Sequence, residues 1–160
     1  MMIGMGTPNS QSRMDLMESP HFDMRHAPAS KRHAWPCPCG SSVPYACCCG
    51  RWHAGPQRLQ APTAEALMRS RYSAFVLDDM AYVLDTWHPR TRPPALDPNP
   101  PGLKWLGLQL RRHEQMDDTH ALVEFVARSR LAGRATRLHE ISRFERMDGL
   151  WYYLDGEFPA

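Results

Sequence analysis

Five cysteines, Cys37, Cys39, Cys47, Cys48 and Cys49, fall within thirteen residues of a 160-residue chain that has no cysteine elsewhere. Such crowding does not make a disulfide framework, because stapling a fold needs bridges between distant segments and adjacent cysteines bond to each other only under strain. Clustered thiols instead predict a metal site. In Cys37-Pro38-Cys39 the proline fixes φ of the middle residue, so one tight turn offers two thiolates, and Cys48 and Cys49 supply the opposite two. Gly40 suits a left-handed turn that leaves backbone N–H groups to face the sulfurs. Four sulfurs at about 2.3 Å close a tetrahedral site, which favours zinc and also accepts iron, and which leaves no open position for a substrate. Three consecutive thiols leave two registers open, Cys48 with Cys49 or Cys47 with Cys48, and Cys47 is taken as the spare. The alternative is a redox-active or merely crowded thiol cluster. His53 stands near enough to be an alternate ligand, but five cysteines make it unnecessary.

A second candidate is a carboxylate. In the stretch Thr136–Phe144, alternation places Glu140 and Ser142 on the side of Leu138 and Phe144, so an acid points at the expected core and must pair or shift its pKa. Arg69 and Arg71 are the candidate partners, in a structural ion pair closing a helix against a sheet. The sharper alternative makes Glu140 a general base or ligand anchor in a pocket with Arg69, Arg71, Tyr72, Trp87 and Trp105, or with His139. Glu124 alternates with Val123 and Phe125 and is expected outside, as is His139, while His88 reads as a cation at a helix end. No glycine-rich phosphate loop, nucleophile elbow or paired-histidine metal centre occurs, which weighs against an enzyme without excluding one.

Helices and strands must position these groups. Thr63 is a plausible N-cap and Glu65 suits the first turn of an amphipathic helix running to about Leu77. A second helix runs from Asp78 to about Trp87, with Met80, Val83, Leu84 and Trp87 on its apolar side. Six prolines between Pro89 and Pro101 then force an extended loop. Four strands follow, at Lys104–Leu110 (with Leu106, Leu108 and Leu110 on one side), Leu122–Arg130, Thr136–Arg146 and Leu150–Leu154. Asp117-Asp118, Ala132-Gly133 and Asp148-Gly149 are the turns between them.

Residues 1–36 carry six of ten methionines without period and are expected to be a disordered tail, with His21, His26 and His33 solvated. The expected organisation is that tail, a knuckle at 37–55, a linker at 56–62 and an α+β domain at 63–158. The chain has a formal net charge of +2, but residues 1–62 hold +3, and no carboxylate occurs between Met24 and Ala64, where Arg25, Lys31, Arg32, Arg51 and Arg58 lie. So small a basic patch weighs against a nucleic-acid footprint without excluding one. No apolar stretch approaches the roughly 18 residues of a membrane span, and the amino terminus lacks a signal-peptide pattern, so a cytoplasmic location is expected.

The stretch CPCGSSVPYACCCGRWHAG (37–55) resembles the SEC-C metal-binding motif. Residues 37–156 as a whole resemble the uncharacterised bacterial family typified by YchJ, through APTAEALMRSRYSAFVL, TWHP, VEFVAR, LHEISRF and DGLWYYLDG. The resemblance implies a SEC-C knuckle joined to a conical, cystatin-like domain similar to nuclear transport factor two, its curved sheet wrapping the helices, commonly with a pocket at the open end. It carries the motif's four metal ligands onto Cys37, Cys39, Cys48 and Cys49. The family tends to have glycine where Ser42 stands; if that position needs positive φ, serine costs roughly 1–2 kcal/mol. SEC-C motifs elsewhere end the protein-export ATPase and contact chaperone or ribosomal partners, which implies an adaptor whose basic knuckle docks a protein in translation, folding or export. The rival reading is a small enzyme or ligand-binding protein whose pocket uses Glu140 and whose knuckle is purely structural.

Overall fold

The computed structural model describes residues 34–159, together with Ala27, Pro28 and Lys31. The expected tail therefore lies almost wholly outside the described residues, as do His21, His26 and His33. Its last residues are the exception: Pro36 bridges to Pro44, and Tyr45 N–H donates to Trp35 O at 2.7 Å. The ordered knuckle thus begins before Cys37, because the turn that presents the first two cysteines is closed by its flanking residues.

Among the described residues three α-helices are present: α1 (Gly50–His53), α2 (Ala64–Val76) and α3 (Met80–Asp85). Thr63 caps α2 as its sequence predicts, Oγ1 accepting from Ala66 N–H at 3.0 Å. Asp79, not Asp78, caps α3, accepting from Tyr82 N–H at 3.1 Å. Asp78 instead takes φ +62° in the turn between the helices and receives the Asn99 N–H at 2.8 Å. A four-stranded antiparallel sheet follows in simple meander order: β1 (Lys104–Gln115), β2 (His120–Leu131), β3 (Arg134–Met147) and β4 (Leu150–Glu157). Ala132-Gly133 and Asp148-Gly149 have positive φ at both positions, as two-residue hairpins require.

The strands outlast their hydrophobic alternation. β1 continues to Gln115 as a polar, exposed edge strand, where backbone pairing with β2 persists without an apolar face. Bulges at Leu106 and Arg111 in β1 and at Leu154 in β4 bend the sheet around α2. The first reverses one expectation: the extra residue turns Leu106 outward, 41% exposed, while Trp105, Leu108 and Leu110 pack on the core.

Cys37, Cys39, Cys49 and Trp52 belong to the same buried cluster as Ala64, Leu67, Tyr72, Tyr82, Phe125 and Phe144. The segment 56–62 is consequently no free linker. Leu59 adopts φ +67°, its N–H bonds Trp52 O, its side chain packs on the core, and Ala61 is buried. Arg58 bridges to Asp85 of α3 at 2.8 Å. Among the described residues no helix is long and apolar enough to cross a membrane.

Candidate functional site: a cysteine knuckle and a closed-in arginine

The knuckle is a reversal followed by a helical turn. Cys37 N–H bonds Val43 O at 2.9 Å and Gly40 N–H bonds Cys37 O at 3.1 Å, folding residues 35–45 back on themselves. Gly40 (φ +81°) and Ser42 (φ +65°) occupy the left-handed region, so the position where the family tends to have glycine does take positive φ, and Ser42 carries the strain. A 3-10 turn at Tyr45–Cys47 leads to Cys49, the N-cap of α1. A Cβ at Gly50 would stand 2.7 Å from Tyr45 O, so only glycine lets α1 start so close to that turn.

The sulfurs of Cys37, Cys39, Cys48 and Cys49 all lie within 4.8 Å of one another, and those of Cys39 and Cys48 are 3.6 Å apart. Four sulfurs on a tetrahedron around one ion at about 2.3 Å stand about 3.8 Å from each other, so the donor set fits a closed metal site. An all-sulfur set suits zinc or iron. Cys37, Cys39 and Cys49 are buried and Cys48 half-buried, whereas Cys47 is exposed and stands outside the group. The Cys39 and Ser41 backbone N–H groups are directed at the Cys37 and Cys39 sulfurs, and Ser41 Oγ is 3.1 Å from Cys48 Sγ. Four thiols crowded this closely cannot all ionise by themselves. Hydrogen bonds from Cys37 and Cys49 favour the Cys39 thiolate and push that thiol down; the same contact with Cys39, with burial, pushes Cys37 up to about 11. Contact with Cys37 and Cys39, reinforced by burial, drives Cys49 strongly up. A cation is what lets such a cluster carry several negative charges.

The knuckle is bonded inward to α2. Arg69 Nη1 donates to Cys39 O at 3.2 Å, and Ser73 Oγ lies 3.5 Å from Cys37 Sγ. His53 is buried beneath the knuckle and joins two elements. Its Nε2 is 2.7 Å from Ser70 O, which can only accept, so Nε2 carries the proton and Nδ1 accepts from Tyr45 OH at 2.6 Å. Burial pushes the His53 pKa below its ordinary value. His53 is therefore a structural strut, visible in sequence only as a histidine beside the cysteines. Of the basic residues flanking the knuckle, Arg25 and Arg32 lie outside the described residues, Arg51 stacks on Trp52 and Arg58 is paired with Asp85.

On the other side of α2 the sheet and helices line a half-open cavity of about 450 Å³. Arg71, Tyr72, Trp87, Trp105 and Glu140 all line it, together with Met68, Phe75, Phe125, Ser142 and Tyr153. Arg69 does not, since the knuckle and Glu65 hold it. The rim comes from Asp97–Pro100 and Phe158, which sequence reasoning left in a loop and a terminus. Asn99 pins that loop, its side-chain N–H donating to Phe75 O at 2.6 Å.

Glu140 points inward as alternation predicts, but its partner is not an arginine. Oε1 accepts from Tyr153 OH at 2.7 Å and Ser142 Oγ at 3.0 Å, and Oε2 has no hydrogen-bond partner among the described residues. Arg71 is held by Nη1, which donates to Val83 O and Thr86 Oγ1, both at 2.8 Å. Its guanidinium lies 4.5 Å from the Tyr153 ring centroid and 5.2 Å from that of Trp87. The expected Arg–Glu ion pair is thus replaced by one tyrosine that meets both groups, Arg71 over its ring and Glu140 at its hydroxyl. Burial pushes Arg71 down to about 10, opposed by Tyr153, Tyr82 and Glu140, so it stays protonated at neutral pH. Burial, then the bond to Glu140, push Tyr153 up and keep it a neutral donor. A Cβ at Gly156 of β4 would overlap the Glu140 carboxylate, so that glycine makes room for it.

The remaining expectations sort themselves around this core. Trp87 pairs with Tyr153 as a short parallel bridge, and the backbone N–H of His88 donates to Tyr153 O at 2.7 Å, so the TWHP segment docks on β4. His88 lies beyond α3 and is buried, its Nδ1 accepting from Arg90 N–H at 3.0 Å and its Nε2 3.6 Å from Glu145, so it is not a helix-end cation. His139 and Glu124 do face away from the cavity, but as a 2.8 Å half-buried pair on neighbouring strands, not as free surface groups.

Comparison with known proteins agrees with both halves. The family described as "YchJ, middle NTF2-like domain" matches residues 63–156. A UPF0225 protein of Bordetella pertussis is 65% identical over 121 residues, which is 76% of this chain and 91% of that protein. The chain belongs to the YchJ-like UPF0225 family. A further UPF0225 member, from Methylibium petroleiphilum, is 59% identical over 135 residues, covering 84% of this chain and 93% of its own. Two solved structures share the arrangement. The solution structure of a SEC-C motif containing protein from Rhodopseudomonas palustris has a TM-score of 0.66 at 32% identity, covering 79% of this chain and 100% of that one. The crystal structure of another, from Psychrobacter arcticus, gives 0.65 at 31% identity, covering 81% and 86%. A match of 135 residues cannot fit within residues 63–160, so the likeness to UPF0225 relatives reaches into the knuckle as well as the cone.

Proposed function

We propose that this UPF0225 protein is a small-molecule binder whose cone takes an aromatic ligand, and that Cys37, Cys39, Cys48 and Cys49 hold a structural metal ion, zinc in the first place. The observation that carries the reading is Arg71. A protonated guanidinium buried to 4% exposure normally faces a carboxylate, and this one instead faces an aromatic-lined cavity with part of its fork unused. A cavity of about 450 Å³ falls in the usual range for ligand sites. The metal supplies cross-linking of two short segments with no chemistry of its own, because four thiolates fill its shell. Inward bonding of the knuckle through Arg69, Ser73 and His53 favours this structural role over protein docking.

Ala127 lines the cavity from β2, and Ala127→Phe should fill it. A panel of small aromatic compounds, screened by ligand-observed NMR against the full chain, should give binders whose signals are lost in Ala127→Phe while its thermal midpoint stays within a few degrees. Absence of any binder, or binders indifferent to the filling, would sink the cavity reading.

A further inference from the structure

The polar groups left over inside the cavity specify what kind of aromatic it takes, an argument that rests on the cavity reading above. Arg71 commits Nη1 to Val83 O and Thr86 Oγ1, and its Nε and Nη2 have no hydrogen-bond partner among the described residues. Glu140 commits Oε1 to Tyr153 and Ser142 and leaves Oε2 without one. Both groups line the same cavity, so it offers an unused donor edge and an unused acceptor, beside the buried indole N–H groups of Trp87 and Trp105, which also have no partner among the described residues. Arg71 lies over the Tyr153 ring and Glu140 accepts from the Tyr153 hydroxyl, and the remaining charged group of the lining, Asp97, is exposed at the rim. An anionic ligand would meet Arg71 but also an unscreened carboxylate, and a cation would meet the reverse. An uncharged ligand that both accepts and donates satisfies each group without leaving a buried charge unpaired. The walls are flat and aromatic: Tyr72, Phe75, Trp87 and Trp105.

We infer that the cavity binds an uncharged, planar nitrogen heterocycle of the pteridine or purine type, whose ring carbonyl accepts from Arg71 and whose ring N–H donates to Glu140. Selectivity lies in Glu140, because its orientation is fixed. Tyr153 and Ser142 both donate to Oε1, so in Glu140→Gln the amide oxygen takes that side and the NH2 takes the place of Oε2. The variant keeps the internal bonds of the carboxylate and presents a donor where the wild type presents an acceptor.

The test compares lumazine, a neutral pteridine dione with two ring N–H groups, with dimethyllumazine, in which both are N–CH3, and with the anion naphthalene-2-carboxylate. Quenching of protein fluorescence is titrated with the full chain, slightly below neutral pH where lumazine is uncharged. Wild type should bind lumazine at least tenfold more tightly than dimethyllumazine or the carboxylate, and Glu140→Gln should erase or invert the preference between the two pteridines. Equal binding of both pteridines by wild type, or tighter binding of the carboxylate, overturns the inference while the cavity reading stands, provided Ala127→Phe abolishes that binding. Should all three probes and the aromatic panel fail to bind, both proposals fall together.

Discussion

Arg69, Ser70 and Ser73 of α2 face the cysteine knuckle, whereas Met68, Arg71, Tyr72 and Phe75, about half a turn around the same helix, face the cavity. The knuckle side is made of short-range pieces: two cysteine pairs joined by an eight-residue loop (40–47) and tied by backbone bonds. The cavity side gathers residues from α2, α3, the proline-rich segment and all four strands. The knuckle therefore depends on a few ligands whose loss is all-or-none, while the cavity depends on sheet curvature and can absorb single changes. Because one helix carries both, damage to the knuckle should reach the cone, and damage to the cavity should leave the knuckle alone.

The largest expected effect tests the first half of that asymmetry. Cys39→Ser removes a buried donor from the centre of the cluster, where Cys39 Sγ meets Cys48 Sγ at 3.6 Å. Metal content measured on purified protein should fall from one ion per chain to none. Stability should fall by on the order of 3 kcal/mol or more, read as an earlier denaturant midpoint of the cone's tryptophan signal. Cys47→Ser should change neither. A Cys39→Ser protein that lost its metal yet unfolded at the wild-type midpoint would show that knuckle and cone are energetically separate, and would break the comparison.

Gly156→Ala tests the second half. The added Cβ overlaps the Glu140 carboxylate and forces it out of its position between Ser142 and Tyr153. Overpacking of this kind costs about 2 kcal/mol. Metal stoichiometry should stay unchanged while binding of any cavity ligand drops, and a coincident loss of metal would mean that the strain travels through α2.

How much of this was legible in sequence follows from the same division. The four cysteines were readable as a set because a metal site of this kind is encoded within thirteen residues, and the hairpin turns because Ala132-Gly133 and Asp148-Gly149 lie between alternating runs. The inward face of β3 was readable from parity, since Leu138, Glu140, Ser142 and Phe144 keep a period of two without interruption. The facing of Leu106 was not, because a bulge breaks that period and leaves no residue-type signal. Nor could the sequence choose between Arg69 and Arg71. Two positions on a helix are about 200° apart, so one of them must face away from the cavity, and only the docked knuckle decides which. Tyr153 as the partner of Glu140, and Asn99 as the pin of the rim, required knowing how β4 and the proline-rich segment pack.

The smallest expected effect sharpens the account of the knuckle itself. Ser42 sits at φ +65°, a conformation that costs a residue with a Cβ roughly 1–2 kcal/mol and glycine almost nothing. Ser42→Gly relieves that strain but adds about 0.5–1 kcal/mol of chain entropy to be lost on folding, leaving a net gain of about 0.5 kcal/mol. The gain should be the same whether the protein is measured with saturating metal or at limiting metal, if the reversal at residues 35–45 is held by its own backbone bonds, such as Cys37 N–H to Val43 O. If instead the metal imposes the turn, the benefit should appear mainly as tighter metal retention in a chelator competition. In that case the knuckle acquires its shape from the ion, and the local encoding that separates it from the cavity is incomplete.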